Sequence, residues 1–172
     1  REIRWIAANV EGRIDRVLVK AGAEVKQGEL LVEMSNPRLQ QVLEETRWEL
    51  EAQEAESMAL AVSLETQLLD QQAKVLNAEM NFESAKMRLE AEQTLLDKGN
   101  ASVSMLDYKK SKLDSRKYSQ RWQIEQQRLA KLKENQEAQL NAQAARLNKL
   151  RKTLNRALEQ VQSLQVRASL DS

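Results

Sequence analysis

The sequence predicts a mainly α-helical chain, a long antiparallel two-helix coiled-coil hairpin inserted into a small β module. Three observations carry this. The first part of the chain alternates apolar and polar residues and holds Gly12, Gly22 and Gly28. Two tracts of nearly equal length follow, rich in Leu, Ala, Glu and Gln, and they meet at Gly99, the only later glycine. Beyond the second tract, alternation resumes with Val166, Ala168 and Leu170.

Residues 1–36 form the first half of the β module. Val10, Ile14, Val17 and Val19, then Val25, Leu30, Val32 and Met34, alternate in the way of short half-buried strands, and three strands are expected. Turns are expected at Ala21–Gly22 and Gln27–Gly28. So short a sheet cannot bury a core alone, so the module needs a second segment.

Residues 37–97 form the first hairpin helix. Ser35 or Asn36 can cap it, and Pro37 fits its first turn. No glycine or further proline interrupts it. A heptad seam runs through Ala61, Leu68, Val75, Phe82, Leu89 and Leu96. Leu64, Gln71, Ala78, Ala85 and Glu92 hold its companion position. A stripe this narrow fits one partner helix, and its small residues permit close approach.

Residues 98–102 form the turn. Gly99 can take the left-handed conformation that ends a helix, with Lys98 near the last carbonyls, and Ser102 can cap the next helix. Residues 103–164 form the second helix. Leu140, Leu147, Leu154 and Val161 repeat along it, with Leu150, Ala157 and Leu164 as companions. Between Tyr108 and Leu132 the apolar phase (Leu113, Tyr118, Trp122, Leu129) is less regular, which predicts a local change of supercoiling. Each helix would be ~90 Å long. A hairpin that returns to its base needs arms of matched length. Residues 165–172 read as the start of the module's second half.

Charge supports the same pairing. Residues 37–97 hold five Lys/Arg and thirteen Asp/Glu, whereas residues 98–165 hold fifteen and six. Folded at the turn, Glu44, Glu45, Glu49, Glu51, Glu54 and Glu56 face a stretch with Arg146, Lys149, Arg151, Lys152 and Arg156. Nearer the tip, Glu79, Glu83, Glu90 and Glu92 face Lys109, Lys110, Lys112, Arg116 and Arg121. Exposed pairs are worth only ~0–1 kcal/mol each, but together they favour the antiparallel register.

Composition narrows the function. The 172 residues are 31% charged and 3% aromatic, with no cysteine and no histidine. No disulfide framework is possible, and the common soft metal ligands and the usual general base are missing. The glycines lack the spacing and the Gly-Lys-Ser/Thr ending of a phosphate loop. The basic helix has an acidic partner within the chain and few interleaved aromatics, which argues against nucleic acid. No enzymatic activity, catalytic residue, cofactor or metal is expected. No apolar run reaches a membrane span, and ordered-looking sequence at Arg1 suggests a piece of a longer protein.

The residues Val10, Gly12, Ile14, Val17, Val19, Gly22, Val25, Gly28, Leu30 and Leu31, the exit Glu33-Met34-Ser35-Asn36-Pro37-Arg38-Leu39, and the return Leu164-Gln165-Val166-Arg167-Ala168 cover the module. In combination they resemble the periplasmic adaptor proteins, or membrane fusion proteins, of the HlyD/AcrA type. In that family a lipoyl-like β domain is split by an α-helical hairpin. True lipoyl carriers place a modifiable lysine where this chain has Ser35-Asn36-Pro37, so a carrier role is not implied. The tip Leu95-Leu96-Asp97-Lys98-Gly99-Asn100-Ala101-Ser102 also resembles the family's, where an arginine, a leucine and a serine contact a TolC-like channel. Leu95 and Ser102 fall on the leucine and serine positions. Ala91 stands at the arginine position, with Arg88 one turn earlier on nearly the same face.

The resemblance implies a periplasmic adaptor subunit of an efflux or secretion system, anchored at the inner membrane of a Gram-negative bacterium by segments outside this chain. Its implied partners are an inner-membrane transporter of the RND, ABC or MFS type, a TolC-like outer-membrane channel, and further copies of itself, commonly six. Gln/Asn-rich helix faces would supply the lateral contacts. The competing reading is a tethering coiled coil with no transport role, whose tip is inert.

Overall fold

The computed structural model describes residues 7–99 and 104–168. In chain order the elements are β1 (Arg13–Val17), β2 (Leu30–Ser35), α1 (Pro37–Asp97), α2 (Met105–Gln162) and β3 (Gln165–Arg167). They group into two compact units. One holds the chain up to Ser57 and from Gln143 onward, and the other is Met58–Ala142.

In the first unit the strands form one antiparallel sheet in the order β1-β2-β3. The central strand is flanked by segments from opposite ends of the chain. Ile14 pairs with Met34 and Val17 with Val32 on one side, and Val32 pairs with Val166 on the other. The two expected turns are present, closed by Ala23 N donating to Lys20 O at 3.2 Å and Glu29 N to Lys26 O at 3.1 Å. Gly22 and Gly28 sit at φ 92° and 83°, backbone that costs other residues more. Val25 forms no strand. It lies between two turns too close together to leave room for one, so two strands rather than three precede α1.

The return strand is fastened at both ends. Gly28 N donates to Ala168 O at 2.8 Å, Ala168 N to Glu29 O at 2.9 Å, and Met34 N to Leu164 O at 2.9 Å. Leu31, Leu43, Ala157, Leu164 and Ala168 are buried in this unit. Gly12 lies against the same place. A Cβ there would meet Ser35 O at 3.0 Å and the Leu164 side chain at 3.1 Å, so any larger residue would press on both.

Asn36 starts α1. Its Oδ1 accepts from Arg38 N (3.1 Å) and Leu39 N (3.2 Å), and its Nδ2 donates to Glu11 O at 2.8 Å. One amide therefore satisfies two orphan helix donors and ties the cap to the chain before β1. The helix then buries Leu43 and Thr46, whose hydroxyl bonds back to Val42 O. Arg151 reaches Glu54 at 2.9 Å, the one ion pair between the helices among the described residues.

In the second unit α1 presents the heptad read from its sequence. Leu64 and Ala78 are buried, and Ala61, Leu68, Gln71, Val75, Phe82, Ala85, Leu89, Glu92 and Leu96 are half-buried. The facing stretch of α2 differs from expectation. Leu113 is 64% exposed, while Ser111, Ser115 and Glu125 are buried between Tyr108, Tyr118, Trp122 and Leu129. The phase is regular at intervals of seven. Small hydroxyls and one carboxylate occupy the seam, and the leucine faces out. Phe82 stacks on Trp122 with ring centroids 5.7 Å apart. The indole Nε1 is buried without a hydrogen-bond partner among the described residues.

The charged side chains near the tip also depart from expectation. Glu90 pairs with Lys86 at 3.8 Å and Glu92 with Arg88 at 2.9 Å, both on the same helix. Glu44 likewise takes Arg47 at 3.4 Å. A partner one turn away is reached with less loss of side-chain freedom than one across the seam. Among the described residues no helix is long and apolar enough to cross a membrane.

Replacing Gly12 by valine is expected to lower stability by about 1–3 kcal/mol, because Ser35 O and Leu164 leave no room. Thermal melting followed by circular dichroism measures it. Trp122→Phe keeps an aromatic ring against Phe82 but removes the pyrrole ring with its unpaired N–H, so it should cost less than Trp122→Ala. Trp122→Ala should cost about 2–3 kcal/mol.

Candidate docking tip

The last turns of α1 and the first turns of α2 belong to the second unit. Gly99 ends α1 at φ 71°, its N–H donating to Leu96 O at 2.9 Å. The next helix is capped by Ser104. Asp107 N donates to Ser104 Oγ at 3.1 Å, and that hydroxyl donates to Asp107 Oδ2 at 2.7 Å. This reciprocal pair takes the role expected of Ser102, and α2 begins at Met105. Ser102 itself lies outside the described residues.

Leu95 and Leu96 are adjacent but differ. Leu96 is half-buried in the seam, and Leu95 is 38% exposed beside it. Arg88 is one heptad before Leu95, so both side chains emerge from the same flank of α1. Ala91, between them at steps of three and four, is exposed on nearly the same face.

Arg88 is engaged. Its Nε donates to Glu92 Oε1 at 2.9 Å, which raises the guanidinium pKa. Glu92 sits in the seam with its side chain 14% exposed. The Ser111 hydroxyl from the facing helix, and then Arg88, hold its carboxyl below the ordinary carboxylate value against the opposing effect of burial. Further from the tip, Gln71 Nε2 donates to Glu125 Oε2 at 2.7 Å and to Glu125 O at 3.2 Å. Arg128 donates to Glu125 Oε1 at 2.9 Å. The Gln71 bond is the main cause of the lowered Glu125 pKa, with Arg128, Lys74 and Arg121 adding charge. One polar layer thus crosses the seam by hydrogen bonds, at Gln71–Glu125, while Glu92 Oε2 is buried in the seam without a hydrogen-bond partner among the described residues.

The arrangement suits contact rather than reaction. It offers an exposed leucine, a flank of alternating charge, and a shallow polar groove lined by Asn81, Ser84, Arg88, Ser111, Asp114 and Tyr118. Sequence reasoning missed Ser104, Ser111, Ser115 and Glu125. The signal for the last three was the spacing of Tyr108, Trp122 and Leu129, which brackets them once hydropathy is set aside.

Comparison with solved structures finds a likeness over 99% of the chain to the periplasmic adaptor protein EmrA, at a TM-score of 0.51 and 15% identity. The chain shares its fold with a periplasmic adaptor. It spans 64% of the EmrA chain. MacA from Actinobacillus actinomycetemcomitans also matches, over 98% of this chain and 41% of its own, with a TM-score of 0.40 and 16% identity. So does the soluble domain of LipC, a membrane fusion protein of a type I secretion system, over 99% and 90%, with 0.42 and 13%. No protein-family model matches the sequence. No curated protein matches it either.

Both carboxyl groups have lowered folded pKa values, so their stabilisation is present above about pH 4.3 and is lost as pH falls through the folded values. Gln71→Leu removes the first donor to Glu125. The variant should melt below the parent at neutral pH, and the gap should narrow at a pH well below the ordinary carboxylate range, as the lowered carboxyl of Glu125 takes up its proton. Melting curves at the two pH values measure it.

Proposed function

We propose that the chain is the hairpin-bearing part of a periplasmic adaptor subunit in a multicomponent efflux or secretion system. In this reading it bridges an inner-membrane transporter of the RND, ABC or MFS type to a TolC-like outer-membrane channel, as one of several copies, commonly six. The periplasm is its compartment, with attachment to the inner membrane through other parts of the protein.

The observation that carries the reading is the threading of the chain. β2 leads directly into α1, and α2 leads directly into β3, which pairs with β2. A sheet assembled from both sides of a helical insertion is the organisation expected of a split lipoyl-like domain, and the likeness to EmrA supports it. The tip then carries recognition. Leu95 is exposed where a helical channel mouth would meet it, and Arg88 lies on the same flank. Because Arg88 also holds Glu92, it contributes by keeping the last turns of α1 in register and presents only part of its charge outward. Ser102 is the third proposed contact.

A photo-crosslinking amino acid at Leu95 of the intact protein, expressed in its own cells, tests the reading. The expected product is an adduct with an outer-membrane channel protein. The same residue placed at Leu64, which is 3% exposed within the seam, should give none. Failure of the Leu95 variant to capture a channel while the protein is folded and present overturns the bridging role and favours the tether.

A further inference from the structure

α1 carries a second apolar stripe that its own hairpin leaves open. In the second unit Val62, Leu69, Leu76, Met80 and Met87 are each 57–64% exposed. With Thr66 and Ala73 they follow one another at steps of four and three, broken only by Glu83. That is the spacing of a coiled-coil seam. The stripe lies roughly 150° round the helix from the seam that faces α2, so α1 has two opposite contact faces. Single exposed leucines need no explanation, but a row in helical register fits a helix.

Its borders say which helix. Glu65, Asp70, Glu79 and Glu83 flank or interrupt the stripe, and none makes an ion pair or hydrogen bond among the described residues. A second α1 laid on this face would set acid against acid. α2 has a complementary outer stripe. Leu106, Lys110, Leu113, Lys117, Gln120, Ile124, Gln127 and Lys131 follow at steps of four and three, and Leu106, Leu113 and Ile124 are 76%, 64% and 48% exposed. Nearby Lys109, Lys112 and Arg116 have no ion partner within the chain among the described residues. Within the chain, partners across the seam run from Gln71 with Glu125 to Phe82 with Trp122. Two copies side by side with level tips would follow the same numbering. Leu76 then meets Ile124, Glu83 meets Lys117, and Asp70 meets Lys131, the two lysines turning from their own-helix partners Asp114 at 3.9 Å and Glu134 at 2.6 Å.

We infer that the outer stripe of α1 is an interaction surface for the outer stripe of α2 in a second copy of this chain, with apolar residues at the centre and acidic α1 against basic α2 at the borders. The contact is heterologous, so a pair of copies keeps one stripe of each kind free and the contact repeats from copy to copy. It refines the lateral contacts of the adaptor reading, but uses residues away from Leu95, so loss of one leaves the other testable.

The chain has no cysteine, which makes the test direct. A chain with Leu76→Cys alone is mixed with one carrying Ile124→Cys alone under mild oxidation. The expected product is the mixed disulfide dimer, in excess over either homodimer. A predominance of Leu76→Cys homodimers, or no dimer, overturns the proposal. Association should weaken about tenfold or more in Asp70→Lys/Glu83→Lys by sedimentation, with unchanged helicity. It should return when that chain is mixed with Lys117→Glu/Lys131→Glu. Loss without such recovery overturns the proposed pairing.

Discussion

The pairing of β2 with β3 is the constraint on which the rest of the structure depends. Arg167 donates to Gly28 O although the two are 139 positions apart. Once Leu164, Val166 and Ala168 are held against β2, the end of α2 is fixed beside the start of α1. Asn36 and Gly12 serve the same junction. One aligns the first helix with the module, and the other lets the chain pass close enough to Ser35 and Leu164.

Beyond that junction the seam does two jobs with different residues. Leu, Val and Ala remove apolar surface from water but accept many registers. Gln71–Glu125 accepts few, because a shift would leave a buried carboxylate without its donors. The net charges, acidic along α1 and basic along α2, act over longer range and discriminate between orientations. Few of those charges touch across the seam. Most are satisfied by a neighbour one turn away or are left at the outer faces.

Much of this was legible in the sequence. Alternation and paired glycines marked the module, Pro37 and Gly99 bounded the first helix, and the α1 heptad could be read residue by residue. Reading α2 failed where hydropathy and burial part. Leu113 drew attention because it is apolar, whereas Ser111 and Ser115 lie between the helices because small side chains fit a close approach. Whether an ion pair forms within or across helices depends on side-chain reach, which charge counting does not contain. At the tip, the sequence could place Leu95 and Leu96 at the end of the helix but could not say which of them faces out. The sequence offers Arg88 as the basic residue one turn before Ala91, and its pairing with Glu92 is again a matter of side-chain reach.

The order of β1, β2 and β3 in the sheet differs from the order in which they become available. As the chain is made, β2 emerges early with one edge unpaired and waits for the strand that completes it until both helices exist. A free strand edge invites pairing with other chains. Closing a loop of this size from a disordered state costs entropy, which grows with its length. Zipping α1 against α2 from the turn shortens the search step by step, so β3 is delivered to β2 by the helices. Folding would therefore proceed from the far end toward the module. The coiled coil is thereby a guide for assembly before it is a finished structure.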